Sequence, residues 1–134
     1  MLASGTRSDF IFTMLGINDS IKSDPQKYVD EDTFEGEYRK LLKRISEAEP
    51  QASLVIMTPT TYTDSLKDYV ERVYKISVSE HIPLVDMYAL WCEHYEEGAE
   101  NFGHRDWLTP SDRVHPTPAS ARAMGEYLFE VFFK

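Results

Sequence analysis

Three short apolar runs, alternating with longer stretches of helical periodicity, limit this chain more than any other feature. Asp9 to Leu15 reads as a strand buried on both faces, and Leu54-Val55-Ile56-Met57 and Ile82-Pro83-Leu84-Val85-Asp86-Met87 read as two more. Between them, Phe34, Tyr38, Leu41, Leu42 and Ile45 mark one helical stripe, and Leu66, Tyr69, Val70, Val73 and Ile76 mark another. Asp32 followed by Glu35 has the form of a capping box for the first helix, and Thr63 or Asp64 would start the second. Pro83 is tolerable only at the beginning of its strand. Strand, helix, strand, helix, strand at this spacing is a βαβαβ unit, and right-handed crossovers make its strands parallel. A shorter helix from Tyr88 to Glu97, stopped by Gly98, follows. Thr117 as N-cap and Pro118 as first helical residue open a closing helix with Ala119, Ala123, Met124, Tyr127, Leu128, Val131 and Phe132 on its apolar side. The expectation is an α/β fold of three recognisable strands and about four helices, a single domain over residues 1–134.

Open α/β sheets place ligands at the carboxyl ends of their strands. Gly16-Ile17-Asn18-Asp19-Ser20 leaves the first strand, and Thr58 to Tyr62 leaves the second, which makes Tyr62 a candidate pocket wall. From Gly98 to Pro118 there is little regular pattern. Phe102, Trp107 and Leu108 in that stretch either line a substrate pocket beside His115 or pin the loop to the body. Thr109 to Pro118 holds three prolines in ten residues, which exclude a regular helix or central strand and stiffen the mount of Asp112 and His115. An acid three residues before a histidine can accept the Nδ1 proton and leave Nε2 facing outward as a base, the orienter and base of a nucleophilic triad. A surface Asp and His in a proline-rich turn is the plain alternative.

The G-x-N-D block after a buried strand, with D-x-x-H-P ahead of a last amphipathic helix, resembles the SGNH (GDSL-type) hydrolases, which are serine esterases, lipases and acylhydrolases. The resemblance spans nearly the whole chain. It implies a three-layer, flavodoxin-like parallel sheet, Asn18 as the oxyanion-hole asparagine, His115 as base and Asp112 as its acidic partner. Gly16 and Asp19 would hold the block in shape. It also implies a small-molecule ester as substrate and no cofactor beyond water. In that family a G-D-S block with the nucleophile and a second block with an oxyanion-hole glycine precede G-x-N-D, whereas here only Met1 to Ser8 precede the strand. The expectation is therefore an N-terminally truncated SGNH fold, of unknown nucleophile and inactive alone. In the flavodoxin-like order the absent first strand would lie against Phe10 to Leu15. A homo-oligomer, or a missing N-terminal segment, is expected at that edge. Two other readings stand beside this one: a non-catalytic binding or assembly domain on the same scaffold, and a metal-dependent hydrolase using His104, Asp106, Asp112 and His115.

Charge and cysteine usage narrow the partners. A net charge of −9, from 14 basic and 23 acidic residues, argues against nucleic acid or an anionic membrane, since both need a basic footprint. No apolar run approaches the eighteen or so residues of a membrane span, and Met1 to Arg7 has no signal-peptide core. The single cysteine, Cys92, cannot form an intrachain disulfide and suits a reducing, cytoplasmic setting, although a targeting segment could be lost with a missing start. Cys92 and His94 would point apart on a helix, so Cys92 is expected to be a buried structural residue rather than a ligand.

Overall fold

The computed structural model describes residues 7–60, 64–97, 107–111 and 115–134. Its elements run β1 (Phe10–Met14), α1 (Glu31–Ala48), β2 (Ser53–Met57), a 3-10 turn (Asp64–Leu66) continuing into α2 (Lys67–Glu80), β3 (Leu84–Val85), α3 (Met87–Glu97) and α4 (Pro118–Leu128). The three strands form one parallel sheet in the order β1-β2-β3, with Phe10 beside Ser53, Met14 beside Met57, and Ile56 and Met57 beside Leu84 and Val85. This is the α/β architecture read from the sequence.

The sheet has a helix pair on each face. On one, α1 and α2 bury Phe34, Tyr38, Leu42, Tyr69, Val70, Val73 and Ile76 against Ile56 of β2. On the other, Val55, Val85 and Met87 are covered by Leu90 of α3 and by Met124, Tyr127 and Leu128 of α4. Neighbouring residues of β2 thus serve opposite faces, as the period of two in a strand requires.

Several local expectations are corrected. The N-cap of α1 is Asp30, not Asp32: its carboxylate accepts from Thr33 N at 3.0 Å and from Thr33 Oγ1 at 2.7 Å. Glu35 does not reach back to a cap, because three cations claim it: Arg39 at 2.8 Å, Arg72 at 2.8 Å and Lys75 at 3.2 Å. Its carboxyl is held down at about 2, chiefly by Arg72. The third strand is only two residues long, since Asp86 turns the chain into α3 by accepting from Ala89 N at 3.0 Å, so Met87 belongs to the helix. β1 is not buried on both faces: it ends the sheet among the described residues and is half-buried, with Phe10 and Leu15 exposed. Leu41, on the stripe of α1, is also exposed, and Cys92 is half-buried rather than buried.

The closing helix starts as expected. Thr117 and Ser120 form a reciprocal capping box with Pro118 in the first turn. Beyond Leu128 the coil widens into a π-helical segment, Phe129–Phe133. The wider turn rotates the apolar stripe, leaving Phe129, Val131 and Phe133 exposed while Phe132 packs on Phe10 and Phe12.

Candidate active site

Because all three strands are parallel, their carboxyl ends gather at one edge, where β1 leads into Gly16–Ser20, β2 into Thr58–Thr60 and β3 into Asp86. The first of these loops is a compact turn. Ser20 N donates to Gly16 O at 3.1 Å, Ile21 N to Asn18 O at 3.1 Å, and Val29 N to Asp19 O at 3.1 Å. Gly16 sits at φ +119, a backbone conformation that side chains rarely adopt, and a Cβ there would stand 3.3 Å from the Phe34 ring and 3.6 Å from Tyr69 Cβ. The backbone therefore calls for glycine here, and a Cβ would press on the Phe34 ring. The turn leaves Asn18 exposed to solvent, with Asp19 half-buried. Ser20 is buried, and its hydroxyl donates to Ile17 O at 2.8 Å, a role inside the turn.

His115 is brought to the same edge by the direction of α4. The C-terminal end of that helix lies at the strand beginnings, where Phe132 packs on Phe10 at 5.5 Å between ring centroids. Met124 and Tyr127 pack midway, on the cluster of Val55, Val85 and Met87. The helix thus runs against the strands, and its N-terminus, with His115 two residues ahead of Thr117, stands at their carboxyl ends. The residues before it are tied to an earlier segment: Leu108 bridges Pro116 in antiparallel fashion, Thr109 N donates to His115 O at 2.8 Å and Thr117 N to Trp107 O at 2.9 Å. Ser120, fully buried, donates its hydroxyl proton to the same Trp107 carbonyl at 2.8 Å.

Trp107 is the anchor of this arrangement. Its buried ring meets Trp91 edge-on at 5.1 Å and lies flat on the His94 ring at 3.8 Å. Of the two roles expected for it, these contacts describe the one that pins the loop to the body. His115 as a residue is exposed. Asp112, Tyr62, Phe102, His104 and Asp106 lie outside the described residues. Among the described residues, no three or more His, Cys, Asp or Glu side chains come close enough together to hold a metal ion.

Sequence reasoning missed a polar cluster that ties the ends of β2 and β3. Asp86 accepts from Thr58 Oγ1 at 2.9 Å with one oxygen and from the Tyr74 hydroxyl with the other, and Thr58 Oγ1 in turn accepts from Tyr88 N at 2.8 Å. Burial, with the hydrogen bond to Asp86 second, pushes the Tyr74 hydroxyl well above its ordinary pKa. An aspartate directly before a helix was the available signal, hidden because the apolar run reads on through Asp86 to Met87.

A parallel α/β domain with its loops gathered at the carboxyl edge of the sheet belongs structurally with the open α/β folds. The family model of the GDSL-like lipase/acylhydrolases matches residues 2–123, and the chain belongs to that family of SGNH hydrolases. No curated protein matches the sequence. Among solved structures, an acetyl xylan esterase, AlAXEase, superposes with a TM-score of 0.79 at 18% identity, covering 92% of this chain and 67% of its own. A second solved structure gives 0.63 at 23% identity, covering 93% and 66%. The chain thus spans about two thirds of the length of the structures it matches, and the likeness establishes the fold. Among the described residues, no helix is long and apolar enough to cross a membrane.

Proposed function

We propose that this chain provides the base and the oxyanion donor of a carboxylic ester hydrolase, with a nucleophilic serine from outside these residues, so that alone it turns over no ester. In this reading His115 takes the serine hydroxyl proton and returns it to the leaving alcohol, and Asp112 orients the imidazole. The Asn18 side-chain amide donates to the oxyanion of the tetrahedral intermediate, a contact whose loss costs about 3 to 4 kcal/mol of barrier. Gly16 and Asp19 shape the turn, Tyr62 and Phe102 are the candidates to border the substrate, and Trp107 fastens the His115 loop to the body. The observation that carries the reading is the exposure of Asn18 on a glycine-dependent turn at the same sheet edge as the start of α4. The serine nearest to it offers no nucleophile, since the Ser20 hydroxyl is buried and donates to Ile17 O. The likeness to an acetyl xylan esterase favours a small acyl group such as acetyl.

The test is exposure of the purified chain to a fluorophosphonate probe and to a short-chain activated ester, beside His115→Ala. Absence of labelling and of turnover is expected. Turnover that His115→Ala abolishes would place the nucleophile within these residues and overturn the reading.

A further inference from the structure

The backbone at His115 is closed by a small clasp, with residues 115–117 on one side and residues 107–109 on the other. Thr109 gives the His115 carbonyl two hydrogen bonds, from N at 2.8 Å and from Oγ1 at 3.0 Å. The Trp107 carbonyl accepts two in return, from Thr117 N at 2.9 Å and from the Ser120 hydroxyl at 2.8 Å. The two sides meet the body differently. Residues 115–117 lead into α4, which is seated on the sheet through Met124, Tyr127 and Leu128. Residues 107–109 are seated on α3 through the ring of Trp107.

Trp91 and His94 form the slot for that ring. Three residues apart on α3, they share a face of the helix. Trp91, fully buried, meets the indole edge-on at 5.1 Å and 78°. An edge contact locates a ring without fixing its plane, since the ring can rock about the line of contact. His94 supplies the plane: its ring lies 3.8 Å from the indole at an interplanar angle of 8°. With one face covered at van der Waals distance, a tilt of the indole either meets the imidazole or opens a gap. Side-chain torsions sit in staggered wells, so a tilted indole carries the Trp107 backbone with it. The hydrogen bonds to Thr117 and Ser120 then move, and Thr109, two residues on, passes the displacement to His115.

We propose that His94 is a positioning residue for His115: its flat contact sets the plane of Trp107 and, through the clasp, the place of the histidine. The inference rests on the reading of His115 as the base and adds to it a residue outside the motif. A reacting group displaced by about 1 Å costs on the order of 10²-fold in rate, so the plane of the ring matters here as well as its burial.

NMR on the full chain tests this without ester turnover, so its failure and a failure of the base assignment are told apart. In His94→Ala the Thr109 and Thr117 amides exchange roughly two- to tenfold faster, the effect of losing one aromatic pair, and the His115 ring resonances shift. In His94→Phe, which keeps a flat ring on the indole, both return to wild-type behaviour. Tyr38→Phe controls for a general loss of stability, because its hydrogen bond to Thr13 lies on the face of the sheet away from α3. There the two amides and the His115 ring behave as in the wild type. His115 resonances unmoved in His94→Ala overturn the proposal. So does a His94→Phe that behaves like His94→Ala, or a Tyr38→Phe that speeds the two amides equally. Emission gives a second measure, since both tryptophans of the chain belong to this contact. It moves to the red in His94→Ala, as water reaches the indole, and not in His94→Phe; emission unchanged in His94→Ala refutes the role of the stack.

Discussion

Replacing Glu35 by glutamine should remove the charge that fastens α1 to α2. The Glu35 side chain is only 11% exposed and lies 2.8 Å from Arg39, 2.8 Å from Arg72 and 3.2 Å from Lys75, two of which come from α2. Arg39 carries the link on to Glu80 at 2.6 Å, and Arg72 to Asp32 at 2.8 Å. The carboxyl falls from 4.5 to about 2, Arg72 being the largest cause. At about 1.36 kcal/mol per pH unit that drop bounds the contribution near 3 kcal/mol. The cations are 27%, 31% and 61% exposed, so solvent screening brings the expected loss in Glu35→Gln to about 1.5 kcal/mol. The sign follows from the direction of the shift. A carboxyl lowered in the folded state stabilises fully above its unfolded value of about 4.5, and the benefit is lost as pH falls towards about 2. Urea unfolding at pH 7, 4 and 3 should show a gap between wild type and variant that holds at pH 7 and narrows steadily below 4.5. A gap under about 0.3 kcal/mol at pH 7, or one that widens in acid, would show that the carboxylate is no clamp.

Other perturbations have equally definite outcomes. Gly16→Ala meets both a positive φ and the Phe34 ring at 3.3 Å, and should cost about 2 kcal/mol in chemical denaturation, whereas Gly36→Ala, inside α1 where a Cβ meets nothing within 4 Å, should stabilise by about 0.5 to 1 kcal/mol. Ser120→Ala removes a buried donor to the Trp107 carbonyl and half of the capping box, and should cost about 1 to 2 kcal/mol in an unfolding curve followed by tryptophan fluorescence. Tyr38→Phe deletes the hydroxyl shared with Thr13 Oγ1 at 2.7 Å and should cost about 1 kcal/mol, detected as a lower thermal midpoint.

The parts of the fold that were legible in the sequence are those set by local chemistry. Two helical stripes carried α1 and α2, and Thr117-Pro118 marked the start of α4, because capping and amphipathic spacing act within a few residues. What escaped depends on partners far along the chain. Asp30 and Asp32 are equally good caps by type, and only the claim of Arg39, Arg72 and Lys75 on Glu35 decides between them. The apolar run at Phe10 reads the same whether its strand is central or at an edge, since burial on the outer side depends on what lies beside it. At the candidate site, Asn18 and His115 were named from motif spacing, and the direction of α4 supplies what spacing lacks, a common sheet edge. The Thr58–Asp86–Tyr74 cluster was invisible because it joins three elements through side chains separated by up to 28 residues.

The most direct measurement is kinetic. Extend the chain at its N-terminus by both absent blocks, an apolar strand ending in Gly-Asp-Ser and, after a crossover helix, the segment with the oxyanion-hole glycine, and follow hydrolysis of a short acyl ester with His115 and Asn18 intact or replaced by alanine. Turnover should appear only in the extended protein, vanish with His115→Ala, and fall by about 10² to 10³ in kcat with Asn18→Ala at little change in KM. Ester turnover in the extended protein that survives both substitutions would contradict the assignment of base and oxyanion donor.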